Sequence, residues 1–224
     1  EYHYNLAVHL AATGNVAAAV MRYRTTLDMA PEDVRALNNL ALLLKGLDRI
    51  EEAQSLLEKA IELAPDYALA RANLGNLYFE QGLVEQGAAV YLDGLALTPE
   101  NADLHNGLGY QFALHGQPDQ ARAQYLQALA IAPDYTRARV NLALACIDAG
   151  ETEEALEHFR HLHEQQPDAP QWLLEMGNMH ARLHQKEAAI QCYRQALERD
   201  PDFEAAQQNL KALTEASLSE DAAS

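Results

Sequence analysis

Residues 68–101 read ALARANLGNLYFEQGLVEQGAAVYLDGLALTPEN, and the rest of the chain is variations on this stretch. The punctuation shows it. Pro31, Pro65, Pro99, Pro133, Pro167 and Pro201 stand 34 residues apart without insertion or deletion, and only Pro118 and Pro170 lie off that grid. A fixed period in this range marks a solenoid, and 34 residues suit one helix–turn–helix unit. Each unit should give a first helix of about a dozen residues, a short turn, and a second helix. That second helix is stopped near the proline, which cannot donate the next backbone hydrogen bond.

Apolar residues recur at helical spacing, as in Leu37, Leu40, Ala41 and Leu44, so each helix carries an inward stripe. Small residues fall where helices must approach closely. They are Ala41, Gly75, Gly109, Ala143 and Gly177 on first helices, and Ala19, Ala53, Gly87, Ala121, Ala155 and Ala189 on second helices. The turn between helices holds Gly14, Gly82, Gly116 and Gly150, with Asp48 and His184 at the same place in two repeats. A helix end turning through positive φ favours these residue types.

Within residues 68–101 the order Leu74, Gly75, Tyr78, Gly82, Gly87, Tyr91, Gly94, Pro99 resembles the tetratricopeptide repeat (TPR) motif of large, small, large, then small, aromatic, small, proline. The resemblance spans essentially the whole chain. It implies an all-α solenoid, a right-handed superhelix of six units at 1–33, 34–67, 68–101, 102–135, 136–169 and 170–203. A C-terminal capping helix at 204–216 completes a single array over 1–216, with Ala206, Leu210 and Leu213 on one face. Residues 217–224 are small and acidic and are expected to form a disordered tail. Glu1 falls inside a first helix of the repeat, so the sequence is expected to be a piece of a longer protein or a mature form with its front missing. The uncapped first repeat, with Tyr2, Tyr4 and Leu6, suggests a possible homo-oligomer contact.

The formal net charge of −17 excludes a phosphate-backbone binder, which needs clustered Lys and Arg. It also disfavours anionic membrane surfaces. No apolar run approaches the roughly 20 residues of a membrane span, so no membrane insertion is expected. Cys146 and Cys192 have no disulfide or metal spacing, and Cys146 falls at a core place. The two thiols do not decide the compartment, with the cytoplasm favoured over the periplasm.

The resemblance implies that first helices line a concave groove for a protein or peptide partner. The place before the large apolar residue of each first helix reads Asn5, Asn39, Asn73, Gly107, Asn141, Glu175 and Asn209. A carboxamide offers two donors and an acceptor. Such a ladder either holds the backbone of an extended peptide or ties adjacent helices together. It resembles the asparagines of the superhelical TPR arm of O-GlcNAc transferase, at Asn5, Asn39, Asn73, Asn141 and Asn209 only. Gly107 removes a side chain and should leave a pocket bordered by Asn73, Asn76, Phe79, Asn106, Tyr110, Arg137 and Asn141. There Phe79 and Tyr110 would either anchor an apolar side chain or fill the gap themselves, while Arg35, Lys45, Arg137 and Arg182 would meet partner acids. A chaperone-tail carboxylate clamp does not fit, because Tyr4, Val8, Asn39, Leu69 and Asn73 supply no basic group.

The histidines give no metal spacing. His180 and His184 serve structure, and His158, His161 and His163 crowd one helix without the three or four converging ligands that zinc requires. No Ser/His/Asp set, phosphate loop or carboxylate pair stands out. No catalytic residue, metal or cofactor is therefore expected. The function expected is a non-catalytic interaction scaffold. The alternatives are the substrate-recruiting arm of a larger enzyme, such as a glycosyltransferase, and a self-assembling structural module.

Overall fold

The computed structural model describes residues 1–221, with side chains described through Glu215. The described residues form thirteen helices and no strand. They are α1 (Tyr2–Ala12), α2 (Val16–Met29), α3 (Val34–Gly46), α4 (Ile50–Leu63), α5 (Ala68–Glu80), α6 (Val84–Leu97) and α7 (Ala102–Leu114). They continue with α8 (Pro118–Ile131), α9 (Thr136–Asp148), α10 (Thr152–Gln165), α11 (Pro170–Arg182), α12 (Lys186–Arg199) and α13 (Glu204–Asp221). This is the all-α solenoid of repeats that the proline grid implies. α13 runs past the expected end of the cap at 216, through residues assigned to the tail. Residues 222–224 of that tail lie outside the described residues.

Contacts divide the chain into two compact units, Glu1–Gln117 and the chain from Pro118 onward. The division falls between the two helices of the fourth repeat.

In the first unit each helix packs on the next, and the first helices also touch one another, α3 on α5 and α5 on α7. The core is one apolar cluster from Ala7 through Leu37, Leu40, Leu44 and Leu57 to Leu74 and Leu77. The small places work as spacers. A β-carbon on Gly75 would lie 2.5 Å from the Tyr91 ring, and one on Gly87 would lie 2.6 Å from the Phe79 ring. Only the missing side chain lets α5 and α6 approach this closely. Asp33 caps α3 by accepting from the Arg35 and Ala36 amides at 3.1 Å, which satisfies donors that a helix start leaves open.

In the second unit α8 through α13 also pack in sequence. Ala121, Ala143, Ala155 and Ala189 are fully buried, and Gly177 lies against Tyr193 as Gly75 does against Tyr91. Cys146 is fully buried at its expected core place. Trp172 donates from Nε1 to Gln166 Oε1 at 3.2 Å.

All six expected turn residues have positive φ: Gly14, Gly82, Gly116 and Gly150, and the two non-glycines Asp48 (60°) and His184 (58°). A further device repeats on the proline grid. The side chain six residues after the proline hydrogen-bonds the proline carbonyl, from Arg71 to Pro65 (2.6 Å), Arg139 to Pro133 and Gln207 to Pro201 (2.7 Å). His105 makes the same contact with Pro99 at 3.3 Å. Each tie gives a partner to a loop carbonyl and fastens the start of the next first helix to the turn before it.

Candidate functional site

The asparagine ladder turns inward. Asn39 Nδ2 donates to the hydroxyls of Tyr4 (3.1 Å) and Tyr23 (3.3 Å), and its Oδ1 accepts from Asn38 Nδ2 (3.2 Å). Asn73 Nδ2 donates to Asn38 Oδ1 at 2.7 Å. A continuous chain of hydrogen bonds therefore links α5, α3, α1 and α2. Asn39 has both donors committed, so it does not offer them to a partner's backbone. Of the two readings of the ladder, the helix tie describes Asn39 and Asn73. Asn5 is exposed on α1. Asn141 is half-buried on α9.

The vacancy expected at Gly107 is filled. A β-carbon there would meet the Tyr91 hydroxyl at 3.0 Å, because the Tyr91 ring from α6 occupies the space. The Tyr91 hydroxyl donates to Asn76 Oδ1 at 2.7 Å, and Gln111 Nε2 donates to the same oxygen at 2.7 Å. Burial raises the Tyr91 phenol above the ordinary tyrosine range. Phe79 is 1% exposed, among the rings of Tyr91, Phe112 and His115. It is core, and the expectation that it anchors a ligand is corrected. Asn106 is buried as well. Tyr110 stays at the surface, 48% exposed. Arg137, exposed on α9, belongs with Asn141 to the second unit.

The basic residues divide in two groups. Arg35 pairs with Asp33 and Glu1 and lies 4.6 Å over the Tyr4 ring. Lys45 pairs with Glu80 at 2.6 Å. Arg137 and Arg182 have no ion partner among the described residues and remain available.

The open part of the first-helix face lies three residues beyond the ladder. That repeat place reads Val8, Leu42, Asn76, Tyr110, Leu144, Asn178 and Ala212. Its four large apolar members are exposed by 41%, 41%, 48% and 49% in chain order. A solvated helix face would carry polar residues here. The signal is legible in the sequence, where Val8, Leu42, Tyr110 and Leu144 fall on the 34-residue period.

In the second unit this face is hollow. A cavity of about 500 Å³ opens between α9, α11 and α13, lined by Leu144, Ile147, Glu175, Asn178, Arg182 and Leu213 among others. Its polar floor converges on one side chain. Asn178 Oδ1 accepts from the Tyr193 hydroxyl (2.9 Å) and from Asn209 Nδ2 (2.8 Å), while Asn178 Nδ2 donates to Glu175 Oε2 (3.1 Å). Apolar walls with a few fixed polar groups suit a side chain and its adjoining peptide.

Away from this face, Cys146, Glu154 and His158 bring one donor atom each to within 4.8 Å of one another. Burial pushes the Cys146 thiol up to about 11. His180 bonds Gln185 through Nδ1 (2.6 Å), and His184 forms the positive-φ turn.

Among the described residues, no helix is long and apolar enough to cross a membrane. No curated protein matches the chain by sequence. Similar solved structures include YrrB, described as a TPR protein with an unusual peptide-binding site. It is 25% identical with a TM-score of 0.61, over 84% of this chain and 97% of that one. TTC0263 of Thermus thermophilus, a thermophilic TPR protein, is 28% identical with a TM-score of 0.63, over 80% and 97%. PilW, a type IV pilus biogenesis factor, shares the fold at 22% identity, with a TM-score of 0.72 over 93% and 97%. Tetratricopeptide repeat family models match residues 44–109 and 112–173, 4–44 and 85–134, and 170–203. The chain belongs to the tetratricopeptide repeat family.

Proposed function

We propose that the protein is a non-catalytic interaction scaffold that receives an extended peptide segment of a partner on its first-helix face. The observation that carries this reading is the exposed apolar residue at one repeat place, Val8, Leu42 and Tyr110 in the first unit and Leu144 in the second. In the second unit that place opens into the hollow floored by Asn178. An apolar side chain of the partner enters against Leu144 and Ile147. Arg182 meets an acidic group beside it, and Glu175 a basic one. The long-range field of a chain with net charge −17 favours partners with basic flanks. YrrB, similar in sequence and fold, is described as carrying a peptide-binding site, which supports the same reading here. Partner backbone is contacted by groups other than Asn39, whose donors are committed.

The test is selection from a displayed peptide library against the native chain and a Leu144→Asp variant. Peptides with an apolar anchor should be enriched on the native chain and lose binding to the variant. Enriched peptides that bind both equally would overturn the assignment, as would a failure to enrich any. Self-association through the first repeat is the second reading, favoured by Tyr2, 73% exposed on α1. Light scattering across concentrations tests it, and a strict monomer would remove it.

A further inference from the structure

We propose that Cys146, Glu154 and His158 form a binding site for a divalent late transition-metal ion of the zinc(II) class, separate from the peptide face. The three come from two helices that the repeat packs together, Cys146 from α9 and the other two from one face of α10. Their donor atoms, the Cys146 thiol, a Glu154 carboxylate oxygen and a His158 ring nitrogen, all lie within 4.8 Å of one another. His158 Nε2 is 3.8 Å from Glu154 Oε1. A tetrahedral ion with bonds of about 2.0–2.3 Å holds its donors roughly 3.3–3.8 Å apart. The His158–Glu154 separation already matches this spacing, and the three donor atoms lie close enough together for one ion to draw them in.

Two observations separate this cluster from a chance meeting of polar residues. First, His158 Nε2 is shielded from solvent and has no hydrogen-bond partner. A buried ring nitrogen left this way costs free energy unless something meets it. Second, the surrounding charge fits a cation. Arg122 binds both Glu154 oxygens at 2.7 Å and also pairs with Glu151. Two carboxylates and a Cys146 thiolate stand against two guanidiniums, Arg122 and Arg139, the latter also acting on His158, so the cluster with its thiolate is net negative by one charge and favours a cation. On binding, the thiol gives its proton to solvent and the sulfur bonds the ion. Thiolate with imidazole selects zinc(II) or cobalt(II) over magnesium or calcium, which prefer all-oxygen sites. Cys146 is fully buried while the Glu154 side chain is 43% exposed. The ion therefore arrives from the Glu154 side, and a water takes the fourth position.

The experiment is a cobalt(II) titration of the reduced, chelator-treated full chain, read by absorbance. One equivalent should produce a thiolate-to-cobalt charge-transfer band in the near ultraviolet, which zinc(II) then abolishes by displacement. The band should be lost in Cys146→Ala and kept in Cys192→Ala. His158→Gln should weaken binding by on the order of tenfold or more. Circular dichroism confirms that each variant remains helical. Glu154→Gln, altered at a partly exposed side chain, should weaken binding too, which covers the case of Cys146→Ala failing to fold. No band at saturating cobalt(II), or a band unchanged in Cys146→Ala or in Glu154→Gln, would overturn the site.

Discussion

Tyr91 and Asn76 are joined by a 2.7 Å hydrogen bond from a second helix to the first helix of the same repeat, and Tyr193 and Asn178 repeat it at 2.9 Å. In both pairs the asparagine oxygen accepts a second bond from the next first helix, from Gln111 or Asn209. One carboxamide thus registers three helices. Replacing Tyr91 by Phe keeps the ring against Gly75 and removes one donor, while Gln111 still serves the Asn76 oxygen. The expected cost is about 0.5–1.5 kcal/mol in urea unfolding. Tyr91→Ala, which also empties the ring's space, should cost about 3–5 kcal/mol.

Glycine to alanine should change sign between two first helices. At Gly75 the new β-carbon would lie 2.5 Å from the Tyr91 ring. The overpacking, about 1–3 kcal/mol, outweighs the roughly 1 kcal/mol of helix propensity gained. At Gly46, the last residue of α3, nothing lies within 4 Å of the added carbon. Gly46→Ala should therefore stabilise by about 0.5–1 kcal/mol. Melting temperatures of the two variants in opposite directions would confirm that the small residue at Gly75 is a spacer.

Asp48 and His184 hold φ near 60°, where a side chain crowds its own backbone. Asp48→Gly and His184→Gly should each raise stability by up to about 1 kcal/mol, the relief of strain exceeding the entropy glycine adds to the unfolded chain. Equal or lower melting temperatures would show that the local side-chain bonds of Asp and His compensate.

Alkaline pH should weaken the fold. Burial is the first cause raising the phenols of Tyr23, Tyr67, Tyr78, Tyr91 and Tyr193. The unfolded chain ionises near the ordinary value of about 10 while the folded chain keeps these protons. Their stabilisation is complete below that value and falls as pH rises through it. Melting temperature should therefore drop as pH rises above about 10, and Tyr91→Phe should flatten the slope. A slope unchanged in Tyr91→Phe would show that Tyr91 does not drive the loss.

Leu144→Asp should leave stability within about 0.5 kcal/mol, because the side chain is 49% exposed and surface substitutions cost little. The same change should abolish peptide capture. A large fall in melting temperature would mean that Leu144 is packing and not a surface for a partner.

Period, helices and turns were legible in the sequence because they are local. Each proline of the 34-residue grid stands just past the helix it stops, and a helix exit at positive φ selects Gly, or Asp48 and His184, from its own backbone geometry. Close packing at Gly75 and Ala121 was also legible, since a solenoid repeats one interface and a small residue recurs at it. The occupants of each space were not legible. Gly107 reads as a gap in sequence, but only the fold brings Tyr91, sixteen residues earlier, into it. Asn39 offers the same donors in any context, and tertiary structure alone spends them on Tyr4 and Tyr23. Cys146 and His158 meet for the same reason. Distances between residues on different helices depend on how the helices pack, and a sequence read one repeat at a time records the helices without recording what stands across from them.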